Sequence, residues 1–156
     1  MYIQSTFQET DVPTYTVEAA AGRLSKDAKQ QIASGITRAH SNATGAQKFF
    51  AQVIFREVPE GDHFLGGAPL KCDQIFVHGH IRAGRTAEQK QQLLSAIVDA
   101  VGAAAETEKR CVWVYLSDLV PSQMVEFGRV LPEPGAESQW LEAMSSEDRD
   151  YLLGIG

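Results

Sequence analysis

Ser25-Lys26-Asp27-Ala28-Lys29-Gln30-Gln31-Ile32 lies over Thr86-Ala87-Glu88-Gln89-Lys90-Gln91-Gln92-Leu93 without a gap at a shift of 61 positions. The register continues beyond these segments: Ser34 falls on Ser95, Ile36 on Ile97, Val53 on Val114 and Glu57 on Asp118. Amphipathic helices share an apolar stripe by chance, but a register unbroken from helix cap to closing strand reads as an internal duplication.

Each copy has the same parts. In the first, Ser25 is placed to cap a helix whose stripe is Ala28, Ile32, Ile36 and Ala39, ending near His40 before the polar run Ser41-Asn42-Ala43-Thr44-Gly45. Upstream, Pro13-Thr14-Tyr15-Thr16-Val17 alternates as a strand, broken by Gly22. Downstream, Phe50 to Glu57 alternates again, with Ala51, Val53 and Phe55 on one side. In the second copy, Ile75, Val77, Gly79 and Ile81 mark a strand. Thr86 with Gln89 makes a capping-box start for a helix carrying Leu93, Leu94, Ile97, Val98 and Val101, and Cys111 to Leu116 closes the unit.

Strand, long helix, strand implies a right-handed crossover and parallel pairing within each unit. The predicted fold is therefore α/β (α+β): two fused βαβ units forming a four-stranded, mostly parallel sheet with two helices on one face. The other face is left open. Phe50, Ile54, Trp113 and Tyr115 are candidates to line it, which predicts burial by other subunits. A single domain over 13–156 is expected, with repeats at 13–57 and 74–118 and a C-terminal segment at 119–156, preceded by an extension at 1–12. Within that last segment a helix is expected around Ser146 to Leu153, and Trp140 and Met144, four apart, read as a packing pair.

Composition narrows the function classes. A chain of 156 residues with a net charge of -6 and no run of Lys or Arg argues against a nucleic-acid footprint or a polybasic membrane contact. Cys72 and Cys111 lack metal or redox spacing and suit a reducing compartment. No stretch is long and apolar enough to span a membrane and the first dozen residues lack signal-peptide character, so the expected location is the cytoplasm. Phosphate-loop, dinucleotide, serine-hydrolase and zinc-protease motifs are all missing.

A small set of residues remains that bears on chemistry. Arg82-Ala83-Gly84-Arg85 places two guanidiniums where the third strand meets a helix start, which reads either as a carboxylate site or as two solvated arginines beside a turn. His40, near a helix end, reads either as an anion contact or as a histidine favoured by the helix dipole. His78 and His80 share one side of a strand but have no evident third ligand, so no metal site is expected. Tyr115 and Glu126 taken singly read as a core tyrosine and a loop glutamate. Pro13 has two readings as well: punctuation at a strand start, or, if it were the first residue, a secondary amine able to act as base and acid.

Together the stretches Pro13-Thr14-Tyr15, Ile36-Thr37-Arg38-Ala39-His40, Phe64-Leu65-Gly66-Gly67, Phe76-Val77-His78-Gly79, Arg82-Ala83-Gly84-Arg85, Val112-Trp113-Val114-Tyr115 and Met124-Val125-Glu126-Phe127-Gly128-Arg129 resemble the tautomerase superfamily, specifically its cis-3-chloroacrylic acid dehalogenase group. The resemblance implies a tautomerase (MIF-like) fold, a homotrimer and a small carboxylate substrate, with no cofactor. It implies that Pro13 is the catalytic proline, that His40, Arg82 and Arg85 bind the substrate carboxylate, and that Tyr115 and Glu126 activate water. Phe127 stands where the group's pattern carries tyrosine. Hydration and dehalogenation of unsaturated carboxylates, or enol-keto tautomerisation of 2-oxo acids, are the activities it implies. Met1 to Val12 would turn the Pro13 nitrogen into an amide, so the working protein is expected to begin at Pro13, with Val12 read as the translation start. A catalytically silent trimeric binding protein, its pocket masked by the extension, is the alternative.

Overall fold

Thr14–Ala20 forms β1, and its alternation is visible in burial: Tyr15, Val17 and Ala19 are turned inward while Thr14, Thr16 and Glu18 are only half-buried on the other side. The structure, a computed structural model, describes residues 13–45 and 51–155. The expected extension at 1–12 and Phe50 lie outside the described residues.

Helix α1, Lys26–Thr44, starts where the Ser25 side chain accepts from the Ala28 N–H. It runs four residues past the expected end at His40, because the stop signal is Gly45, which takes the left-handed conformation at φ 78° and closes the last turn through its N–H to the Ser41 carbonyl. The Thr44 hydroxyl back-bonds to the His40 carbonyl at 2.7 Å. His40 therefore sits one turn inside the helix, and the dipole no longer explains it.

The remaining elements follow in order. β2 is Gln52–Val58, and the short strands β3, Phe64–Leu65, and β4, Ala68–Pro69, make a hairpin whose Gly66-Gly67 turn has φ 65° and 81°. β5 is Ile75–Arg82 and α2 is Ala87–Ala105, opened by the expected Thr86 and Gln89 capping box. β6, Val112–Leu119, starts one residue later and ends three residues later than the alternation alone indicated. A second hairpin joins β7, Val125–Glu126, to β8, Arg129–Val130, and the chain ends in α3, Glu137–Glu142, and α4, Ser146–Leu153.

The main sheet has the order β2-β1-β5-β6, with β1 parallel to β2 and β5 parallel to β6. Where the repeats meet, the equivalent strands β1 and β5 pair antiparallel, Thr14 opposite His80 and Val17 opposite Val77. This seam brings the start of β1 beside the end of β5. Both long helices cover one face, where Ile32, Ile36, Leu93, Ile97 and Val101 pack on Tyr15, Val17, Val77 and Ile81. They approach closely at Gly35, where a Cβ would lie 2.9 Å from the Ala100 Cβ. The opposite face keeps Ile54, Trp113 and Tyr115 exposed, as the sequence indicated. Trp140 and Met144 pack with Leu131 and Leu152 in a separate small core of the C-terminal segment. No helix among the described residues is long and apolar enough to cross a membrane.

Candidate active site

Pro13 is buried immediately before β1, and its carbonyl accepts from the Gln52 N–H at 2.9 Å. By the strand alternation it shares the inward face of β1 with Tyr15. At the far end of the Tyr15 ring the hydroxyl meets His40 Nδ1 at 2.7 Å, with the two ring centroids 5.8 Å apart and nearly edge-on. Both side chains are fully enclosed. Their placement depends on Gly79, the cross-strand partner of Tyr15, since a Cβ there would fall 2.5 Å from Tyr15 Cε1. A glycine in mid-strand thus serves close approach rather than a turn.

Arg82 and Arg85 come from the end of β5 and the turn into α2. Arg85 is half-buried, and its guanidinium donates to the Thr44 carbonyl at 3.1 Å, so it reaches the last turn of α1, one turn beyond His40. Gly84 between them has φ 118°, and a Cβ added to it would lie 3.2 Å from Pro134 Cγ, which packs the turn beneath the C-terminal segment. Arg82 is only 1% exposed. It donates to Glu137 Oε1 at 2.7 Å and to the Pro132 carbonyl at 3.1 Å, while Gly135 N–H donates to Glu137 Oε2 at 2.8 Å. The two arginines are thus not alike: Arg85 reaches back to α1, and Arg82 is clamped by a buried carboxylate.

Glu126 ends β7, half-buried, with its Oε2 shielded from solvent. It precedes a two-residue turn in which Phe127 at φ 52° and Gly128 at φ 75° both take positive angles. For a phenylalanine this conformation is strained, and its ring is anchored in the C-terminal core. Arg82 ties the chain two residues beyond this hairpin's second strand to the β5 end through the Pro132 carbonyl.

Tyr115 stands apart. It is 55% exposed on the face of the sheet opposite Tyr15 and His40, packed edge-on against Phe76 at 4.9 Å. With Trp113, Glu18, Asp62 and Gln74 it lines an open groove of about 310 Å³. Pro13, His40, Arg82 and Arg85 are therefore brought to one end of the chain's own sheet, and Tyr115 is not among them. On the same outer face His78 and His80 stack with centroids 4.4 Å apart, and His78 Nε2 bonds Ser117 Oγ at 2.7 Å. Burial first, and His80 second, hold the His78 imidazole below its usual range against the pull of Glu18. Among the described residues no group of three or more His, Cys, Asp or Glu is placed to hold a metal ion.

Three residues were not singled out by sequence: Tyr15, Gly79 and Glu137. Tyr15 and Gly79 looked like ordinary members of alternating strands. Glu137 lies in a proline-rich stretch with no periodicity, and the only available hint was that a deeply buried arginine needs a carboxylate from somewhere.

The family model whose description is "Putative oxalocrotonate tautomerase enzyme" matches residues 12–145. The crystal structure of a member of the cis-3-chloroacrylic acid dehalogenase family is 32% identical, with a TM-score of 0.86, covering 91% of this chain and 99% of that one. A fused 4-OT described as a symmetric trimer is 25% identical, with a TM-score of 0.65, covering 71% of this chain and 89% of that one. A protein crystallised after inactivation by 2-oxo-3-pentynoate is 24% identical, with a TM-score of 0.69, covering 76% and 95%, a likeness of fold. No curated protein matches the chain.

Proposed function

This chain belongs to the tautomerase superfamily, in its cis-3-chloroacrylic acid dehalogenase group, and on that premise we propose that it transfers protons through the nitrogen of Pro13 on small unsaturated or 2-oxo carboxylates. The observation that carries this reading is the convergence at one sheet end of Pro13 at the head of β1, His40 through Tyr15, and the two arginines at the end of β5.

The active form begins at Pro13. With Val12 attached the nitrogen is an amide without useful basicity, whereas a free proline is a secondary amine whose pKa starts near ~8 and falls beside cations. Arg85, His40 and the clamped Arg82 hold the substrate carboxylate. That charge pairing draws electron density from a conjugated double bond and opens its β-carbon to attack. Water activated by Glu126 and Tyr115 adds its hydroxyl to the β-carbon, and the prolinium delivers a proton to the α-carbon. Where the β-carbon carries chlorine, the chlorohydrin loses HCl and leaves the aldehyde acid. In tautomerisation the same nitrogen moves a proton between the enol oxygen and carbon, and water activation is not needed. Addition of water, loss of HCl and proton transfer involve no net oxidation or reduction and are served by the side chains named, so no cofactor is invoked.

Tyr115 enters from a neighbouring subunit of a homotrimer. Its position on the uncovered, aromatic-rich sheet face supports this, because that face calls for burial and lies away from its own chain's Pro13. The 2-oxo-3-pentynoate that inactivated one structural relative supplies a test. Mass spectrometry of the chain starting at Pro13 should locate one adduct on Pro13, and the same reagent should leave Pro13 unmodified in the chain starting at Met1. Adducts elsewhere with Pro13 untouched would reject the proposal.

A further inference from the structure

We infer that Tyr15 is a positioning residue that holds His40 as the tautomer protonated on Nε2, making the imidazole a hydrogen-bond donor toward a bound carboxylate. The inference rests on the proposed carboxylate-binding role of His40. A neutral imidazole has one donor and one acceptor nitrogen, and which is which depends on what the other meets. Here Nδ1 meets the Tyr15 hydroxyl at 2.7 Å, a distance suited to a strong O–H···N bond. When the hydroxyl donates, Nδ1 is the acceptor and the proton resides on Nε2, the nitrogen on the far side of the ring. The reverse tautomer would turn a lone pair on Nε2 toward an anion, which repels it.

The arrangement is built to last. Tyr15 is fully enclosed, and its ring occupies the space left by the missing Cβ of Gly79, so the hydroxyl has little freedom to turn away. His40 is also held from its backbone side, because Thr44 Oγ1 bonds its carbonyl and Arg85 grips the Thr44 carbonyl. Tyr15 lies two residues along β1 from Pro13 and on the same face, so one strand sets both the proline and the histidine. A shift of β1 by one residue would lose both at once.

The test is nitrogen-15 NMR of the histidine rings in the full chain, which carries four histidines, with His40→Gln to assign the His40 signals. His40 should appear as the Nε2–H tautomer in the wild type, and Tyr15→Phe should shift it toward a mixture or toward Nδ1–H. The Tyr15→Phe side chain keeps the ring that fills the Gly79 berth, so the fold should survive, and unchanged melting verifies it. In the chain starting at Pro13, the same variant should raise the KM for phenylenolpyruvate about tenfold with a smaller change in kcat, in line with one lost charge-assisted hydrogen bond. A wild-type His40 protonated on Nδ1, or a tautomer unmoved by Tyr15→Phe, would overturn the inference. Absence of turnover in every form would count against the proposed function alone, since the NMR measurement needs no activity.

Discussion

The guanidinium of Arg82 and the carboxylate of Glu137 meet at 2.7 Å with both side chains nearly sealed from water, 55 residues apart in sequence. The pair joins the end of β5 to the first turn of α3, so the C-terminal segment fixes a basic side chain at the candidate site. Breaking a buried pair from one side leaves a charge to be resolvated at a cost of about 3 kcal/mol or more. Glu137→Gln should therefore lower the denaturant midpoint by an amount corresponding to about 3 kcal/mol at unchanged slope. A midpoint within experimental error of the wild type would show that Glu137 is dispensable for the fold.

Gly79→Ala tests the berth of Tyr15. The new methyl would fall 2.5 Å from Tyr15 Cε1 and 3.0 Å from Leu116 Cδ2, so the ring must move. Overpacking of this kind costs about 1 to 3 kcal/mol. Thermal unfolding should register that loss, and activity should fall along with it, because His40 loses its hydroxyl partner. Wild-type melting and activity together would contradict the geometry.

Asp73 gives a pH signature. Arg23 donates to both of its carboxylate oxygens, at 2.9 and 2.7 Å, and this pairing holds the Asp73 carboxyl below its usual range despite partial burial. A carboxyl lowered in the folded state adds stability above its unfolded pKa, near ~4, and loses it as pH falls through the folded value. The pair is partly solvated, which limits its contribution to roughly 1 kcal/mol. Chemical denaturation of Asp73→Asn should show a deficit of about that size near neutral pH, shrinking toward zero once the pH is well under 4. A deficit that stays constant with pH would rule out charge pairing as its source.

Tyr115 gives a subunit-exchange test. If it serves a neighbour's site, Pro13→Ala and Tyr115→Phe damage different copies of the site in a mixed trimer. Each variant alone should lose about 100-fold or more in kcat toward cis-3-chloroacrylate, the range for a group that takes part in proton transfer during water addition. Mixed and reassembled chains, all starting at Pro13, should regain turnover well above either parent. No recovery in verified mixed trimers would place Tyr115 in its own chain's chemistry or in none.

Most of the fold was legible because the duplication fixes it twice. The shift that aligns Ser25 with Thr86 located both helix starts, and the side-chain caps on Ala28 and Gln89 are found there. Strand alternation located Tyr15, Val17, Val77 and Ile81 in the core. What periodicity could not convey was how the repeats meet: parallel pairing within each unit says nothing of the antiparallel β1 and β5 seam, and that seam is what sets the head of β1 against the end of β5, Thr14 opposite His80. The end of α1 was misplaced because Ser41 and Asn42 read as loop formers, while Gly45 supplies the stop. At the site, Arg82 and Arg85 were visible as a charged turn, but their different partners, Glu137 and the Thr44 carbonyl, belong to tertiary structure. Tyr15 was hidden for a plainer reason: a strand pattern records that a side chain is buried and not where its hydroxyl points.

The central claim is that a free proline nitrogen at residue 13 performs the chemistry, and it is tested most directly by turnover of cis-3-chloroacrylate and phenylenolpyruvate. Three proteins are compared: the chain starting at Met1, the chain starting at Pro13, and the latter carrying Pro13→Ala. Only the unmodified chain starting at Pro13 should be fully active, with the other two slower by about 100-fold or more. Equal activity in the chain starting at Met1, where that nitrogen is an amide, would contradict it.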